Sequence, residues 1–499
     1  MSLEGAIAAH RFGLGARPGE IARASSDPKG WLMSQIAQAA PQPMDENGQP
    51  FPNAGKLVSS EEDYKVEKSK TKEERAARKA AKRAAADGAM KAEGGGATNG
   101  GGGGDGGDMA MRHGGEHGDK SLRGQARAMG GGNIRREQYQ KEMAARLALG
   151  CTTDRPFAER LTRFWSNHFT VSGARQKVML FAGDYEREAI RPHINGTFED
   201  MLFAVCMHPA MQVYLDNWHS IGPNSEAGKA RAKGLNENLG RELMELYTLG
   251  VDGGYSQADV IAMAKLLTGW GLYDGRADGF GFHAERHEPG PIVLRGKTYK
   301  PGWDGSVAAI KDLAHDPATA RHIARKFATH FISDDPPAES VARLEKSFNK
   351  TGGNLHALSQ TIVDDPNAWK PELRKMRTPI EFVTAAMRMT GWQNAPGHKD
   401  EHHLLQSVRS MGEAPFAAPS PKGYADTADA WSGSDALLAR VQWAKDFADN
   451  LPGNISVAAM AGDGLGPLLT ANTRSVMAKA GTKGEAVALL LSSPEFQRR

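Results

Sequence analysis

The stretch Asn236 to Gly250, NENLGRELMELYTLG, concentrates residue types that hold metals or move protons. On a helix, turning about 100° per residue, Asn238, Glu242 and Glu245 stack along one stripe beside an apolar stripe of Leu239, Leu243 and Leu246. Two carboxylates three residues apart, with an amide beside them, project together as they do where helical bundles hold a divalent metal or assemble an acid/base pair. The same spacing serves a purely structural role, in which Arg241 bridges Glu237 and Glu245 and Asn236 caps the helix.

Three other places supply groups for such a site. The run His208 to Asn217 ends a helix at Asp216-Asn217, and the loop through Asn224 returns them toward the first turn of the glutamate helix. Free amides and the helix dipole there favour either a bound anion or Asp216 itself as a cap. His168 closes an aromatic-rich helix end, RFWSNHFTV, where an imidazole is more often a hydrogen-bonded core residue than a ligand. His287, in the Gly/Pro turn His287-Glu288-Pro289-Gly290, sits where packing asks little of a side chain. Glu242, Glu245 and His287 are therefore the expected catalytic and metal-ligating residues, with Asn238, Asp216, Asn217, Arg241 and His168 as binding residues. A divalent metal is the cofactor such a set would hold.

Familiar motifs are missing. Asp252 to Asp259 lacks the alternating oxygen ligands and closing Glu of a calcium loop, and Ser256 with Asp259 reads instead as a capping box. Gly13-Leu14-Gly15 lacks the preceding strand and the third glycine of a dinucleotide fingerprint, and there is no Walker lysine, G-x-S-x-G or H-E-x-x-H.

The elements that must position these residues read as mainly α, an assembly of about a dozen helices with apolar residues at i, i+3, i+4 and i+7. One small β-hairpin is expected near 280–294, pairing Phe280 to His283 with Ile292 to Leu294 across Pro289-Gly290-Pro291. Three helix ends run into a polar residue and then proline, at His208-Pro209, Asp365-Pro366 and Ser493-Pro494, a weak repeat that suits similar helix pairs. The expected organisation is an N-terminal helical segment of the core at 1–41, a low-complexity insertion at 42–132, a main helical domain at 133–392, a loop-rich connector at 393–434 and C-terminal helices at 435–499. In the insertion a Lys/Arg/Glu-rich run leads into a tract, Gly94 to Gly132, that is close to half glycine. Such a composition cannot bury enough surface to offset its chain entropy, so disorder is expected.

Composition excludes several classes. Across 499 residues, 62 basic and 59 acidic side chains leave a formal charge of +3, too little to draw the whole chain to nucleic acid. The basic run in the insertion is interleaved with glutamates, which makes nucleic acid an unfavoured partner. Two cysteines, Cys151 and Cys206, give no zinc or disulfide framework. No apolar run approaches the roughly 20 residues of a membrane span. Met1 to Ile7 carries no basic start or apolar stretch of a leader, so the cytoplasm is the expected compartment, with the periplasm by co-export on a partner as the alternative.

Taken together, the blocks FGLGARPG (Phe12 to Gly19), FWSNHFTV (Phe164 to Val171), YEREAIR (Tyr185 to Arg191), His208 through Asn217, the Asn236 to Gly250 helix, LTGW (Leu267 to Trp270), the His287 turn and SPEF (Ser493 to Phe496) resemble a large bacterial family known as domain of unknown function 1800. The resemblance spans nearly the whole chain outside the insertion. It implies a mostly helical fold and a frequent genomic neighbour from a sulfatase-like family, whose members often carry twin-arginine leaders, which makes a sulfatase-like protein the expected partner. The turn in that family usually reads His-Asp; here it is His287-Glu288, which keeps a carboxylate and lengthens its reach. Two functions fit these residues: a helical enzyme with a carboxylate/imidazole site doing hydrolytic or other polar chemistry, and a non-catalytic helical scaffold for the sulfatase-like partner.

Overall fold

Apolar periodicity becomes helix almost throughout the computed structural model, which describes residues 1–57, 131–231, 234–273, 276, 278–392, 399–452 and 455–499. Contacts gather Met1–Leu57 and Arg135–Arg499 into one unit. The chain's beginning meets its end there: His10 Nε2 bonds the Gly464 carbonyl at 2.7 Å, and Met376 pairs with Arg498 in an isolated bridge. Most of the expected insertion, 58–130, lies outside the described residues. The packed chain runs past the expected boundary at 42, with Ala54 and Leu57 buried and Arg187 holding the Pro52 carbonyl at 2.8 Å.

Four helices position the site. α1 (Pro156–His168) starts on Pro156, whose fixed φ suits the first helical position, and buries Phe157, Leu161, Phe164 and Trp165. α2 (Asn238–Glu242) passes directly into a π-helical turn, Leu243–Tyr247. α3 (Pro317–Phe331) is capped by the Asp316 carboxylate, which accepts from Ala318 N at 2.8 Å, and sends Ile323, Phe327 and Phe331 inward at four-residue spacing. α4 (Pro379–Met389) opens with a capping box between Thr378 and Glu381.

The polar-residue–proline repeat has a local cause. His208, Asp365 and Ser493 each cap the helix that follows, with proline at its first position, and Asp27-Pro28, Asp316-Pro317 and Thr378-Pro379 do the same. The recurrence therefore records a helix-start rule rather than a repeated structural unit.

Strand pairing departs from expectation. The described strands form two antiparallel hairpins: β1 (Trp270–Leu272) with β2 (Phe280–Phe282), and β3 (Ile292–Leu294) with β4 (Lys297–Tyr299). Phe280–Phe282 and Ile292–Leu294 thus never pair with each other. The reason lies in the turns: Arg295 and Gly296 both have positive φ, as a two-residue hairpin loop requires, so β3 folds back on β4 before it can reach β2.

Helices are joined by arginines buried where such side chains are seldom found. Arg191 makes paired bonds to Glu159 at 2.7 and 3.0 Å and reaches Glu186 at 2.6 Å; Arg160 and Arg499 converge on Glu381 at 2.5 and 2.9 Å. Burial opposes the Glu381 charge, but Arg160 and then Arg499 outweigh it and hold the carboxyl well below its ordinary range. Among described helices none is long and apolar enough to cross a membrane.

Candidate functional site

The glutamate helix forms where the sequence places it, but its second half changes geometry. The π turn ends at Tyr247, so the carbonyls of Leu246 and Tyr247, at the C-terminal end of the ladder, have no helical N–H to accept from. Two imidazoles take them: His322 Nε2 lies 3.0 Å from Leu246 O, and His168 Nε2 lies 3.1 Å from Tyr247 O. Thr248 Oγ1 caps Leu243 O at 2.6 Å, and Gly250, at φ 85°, turns the chain away. A Cβ at Gly250 would stand 2.9 Å from His322 Nδ1. Gly250→Ala is therefore expected to lose about 1–2 kcal/mol of unfolding free energy in urea titration, from left-handed strain and the displaced ring; an unchanged midpoint would show that neither matters.

The expected residues are scattered by this arrangement. Glu242 and Glu245 stay neighbours: burial first, and the Glu245 charge second, push the half-buried Glu242 carboxyl upward. Asn238 is exposed, its backbone N–H donating to Asn236 Oδ1 at 2.9 Å. Arg241 reaches Glu237 at 3.0 Å and Gln257 at 3.1 Å, the structural pairing that its spacing allowed. Asp216 adopts φ 56° and pairs with Arg175; Ser220 Oγ, not Asp216, accepts from Asn236 N at 3.1 Å ahead of the glutamate helix. Asn217 is buried, its amide donating to Gln212 Oε1 at 2.9 Å and to Leu267 O at 3.2 Å.

His287 does not join the glutamates. Gly302 N donates to its Nε2 at 2.7 Å, so the proton sits on Nδ1 and goes to Thr268 O at 2.9 Å. Both ring nitrogens are spent on backbone, which leaves no lone pair for a metal. Glu288 is likewise a clamp, accepting from Asn224 N at 2.9 Å and Asn224 Nδ2 at 2.6 Å, so the longer acid at this turn ties two loops. Glu242, Glu245 and His287 do not bring three ligand atoms within 4.8 Å of one another. Among the described residues the group that brings three ligand atoms within 4.8 Å of one another is Asp184, Glu188 and His208. There His208 Nδ1 accepts from Ala210 N at 3.1 Å, so Nε2 carries the proton and donates to Asp184 at 3.2 Å. A metal on Nε2 would have to expel that proton and abandon the helix cap, so this trio reads as a cap and its counter-charge.

His168 is the expected residue that faces open space. It lines a cavity of about 660 Å³ between α1, α3, the start of α4, the Leu249 to Gly253 loop and the segment Glu413 to Asp426. His168 is 2% exposed, and with Nε2 on Tyr247 O its Nδ1 has no hydrogen-bond partner. Burial, then Lys326 and His322, keep the imidazole well below its usual pKa, so it stands neutral with a lone pair on the buried Nδ1.

α3 contributes a stripe that sequence reading missed, His322, Lys326 and His330 at four-residue intervals, next to the apolar stripe of Ile323, Phe327 and Phe331 and turned about 100° from it. The H-x-x-x-K-x-x-x-H spacing was its signal, hidden among ordinary surface charges. Burial pulls the Lys326 ammonium down to about 8, and Lys422 adds to the shift. His322 falls to about 4 by burial and then by Lys326. His330 Nδ1 meets Asp426 at 2.7 Å.

One acid of the cavity wall, Glu413, is 8% exposed and accepts from Ile380 N at 2.8 Å. Burial pushes its carboxyl up to about 7 from an ordinary 4.5. Between those values the folded chain holds a proton that the unfolded chain has released. The stability from this group is full below about pH 4.5 and is lost as pH rises through about 7. Glu413→Gln is expected to flatten the decline in melting temperature across that window, measured by calorimetry; a slope identical to the parent's would assign the decline elsewhere.

The family described as "Protein of unknown function (DUF1800)" matches residues 7–498. No curated protein and no solved structure matches the chain.

Proposed function

The chain belongs to the DUF1800 family, and from that premise we propose that it is an enzyme of hydrolytic or other polar chemistry whose working site is the His168 cavity. The observation that carries this reading is a buried imidazole with one nitrogen fixed and the other unpartnered at the wall of a cavity large enough for a small organic molecule. Held on the Tyr247 carbonyl, the ring is oriented as a general base: its Nδ1 takes a proton from water or a substrate hydroxyl, and the Nε2 proton stays on the carbonyl. Glu413 and Lys326, which titrate near neutrality, supply an acid to return a proton to the leaving group. Phe164, Ile380 and Phe416 give the cavity an apolar wall against which the body of an organic substrate can lie. The test is turnover of p-nitrophenyl acetate, phosphate and sulfate by the full chain and by His168→Gln. Loss of turnover in a folded variant supports the reading, and equal rates in the two proteins dismiss it.

A second reading, the non-catalytic scaffold, is favoured by one feature. The helix Ser434–Asp449 exposes Leu437, Leu438 and Val441 at 39, 56 and 47%. Exposed apolar side chains clustered within one turn suit a protein partner, for which the family resemblance suggests a sulfatase-like protein. Pull-down with and without Leu438→Lys separates this reading from the first.

A further inference from the structure

The charges around the cavity are unevenly spent. Asp426 is held by His330 at 2.7 Å and lies 3.7 Å from Lys375, and Glu381 is held by Arg160 and Arg499. Glu413 keeps its proton up to about pH 7. The cations are less committed. Lys326 and Lys422 both line the cavity and make no ion pair with a described carboxylate; on Lys326 the attraction of Asp426, already paired with His330, comes ahead of the repulsion from Lys422. Arg163 donates one long bond to Thr384 at 3.3 Å and has Nη2 without an acceptor. Its nearest acid, Glu159, is 3.7 Å away and already doubly bonded to Arg191.

Like charges brought together in a concave site repel unless a counter-charge enters, and a low-dielectric wall strengthens whatever enters. The loop that carries Lys422 is also held in place. Asn167 of α1 donates to Tyr424 O at 2.9 Å and accepts from Tyr424 N at 2.8 Å, and Gly423, at φ 82°, packs so closely that a Cβ would stand 2.5 Å from Asn167 O. Lys422 is therefore presented opposite α3 by a fixed turn rather than by a wandering loop. A cation as ligand would find Lys326 and Lys422 against it, and a neutral ligand would leave them facing only Asp426, which His330 already holds, and Asp252 at the exposed rim.

We infer that the cavity takes a small organic anion, its carboxylate, sulfate or phosphate group seated against Lys326 and Lys422 and its body lying along Phe164, Ile380 and Phe416. His168, whose Nδ1 is buried without a hydrogen-bond partner, is among the residues that line the same cavity. The inference rests on taking the cavity as the working site.

Calorimetric titration of the full chain tests it, with benzoate and inorganic phosphate as anionic probes and benzamide as the neutral match to benzoate. At least one anion is expected to bind saturably. Lys326→Met, and separately the exposed-site change Lys422→Met, are expected to weaken it by about tenfold, roughly the worth of one charge-assisted hydrogen bond. Benzamide binding as well as benzoate, no saturable binding of either anion, or unchanged affinity in both folded lysine variants would overturn the inference. Turnover that depends on His168 with no anion bound sinks this inference and leaves the catalytic reading standing; anion binding without such turnover does the reverse.

Discussion

In His168→Gln, turnover is expected to fall by about 10²–10⁴-fold, the range over which a positioned general base contributes. Glutamine retains a donor for the Tyr247 carbonyl and similar bulk against the surrounding rings, so the melting temperature should stay within a few degrees. What it lacks is a basic lone pair at the place of Nδ1. Because the loss concerns proton transfer and not binding, it should fall on kcat, with KM little changed. A variant that unfolds would be uninformative by itself, so His168→Asn provides a second amide of shorter reach. If both variants fold and turn over like the parent, His168 is a core histidine whose second nitrogen happens to lack a partner.

Arg388→Met is expected to cost about 3–5 kcal/mol, enough to remove much of the margin by which such a chain stays folded. Arg388 is fully buried on α4 and donates to Gly15 O at 2.8 Å, to Gly150 O at 3.1 Å, to Thr153 O at 2.8 Å and to both oxygens of buried Glu20 at 2.9 Å. Methionine fills the stem's volume but leaves three carbonyls and a carboxylate unanswered. Most of the loss comes from the stranded Glu20 charge, so adding Glu20→Gln to Arg388→Met should recover part of it. A denaturant series on the parent, both single variants and the double variant measures this, and a double variant no better than Arg388→Met would place the cost in the carbonyls instead.

The same contacts explain why sequence reading saw these helices and not their charges. An arginine in a helical pattern reads as solvated, and Arg160, Arg191, Arg388 and Arg499 each require partners distant in the chain before burial becomes tolerable. The partners of Arg388 at Gly15, Glu20 and Gly150 are brought together only when α4 docks on the N-terminal segment. His287 erred in the opposite direction. A histidine in a Gly/Pro turn looked free of packing, yet the turn folds over Thr268 and Gly302 and uses both of its nitrogens.

The amino-acid sequence by itself determined the mainly helical class, the family and the starts of the helices, because periodicity, capping side chains and proline after a polar residue act within a few residues of each other. It also contained His168 at the end of its aromatic helix. Only the tertiary structure decided which strands pair, where the glutamate helix widens into a π turn, and that His168 shares a cavity with Lys326, Glu413 and Lys422. Those outcomes depend on which lone pairs and charges remain unsatisfied after distant segments pack, and no local pattern records that.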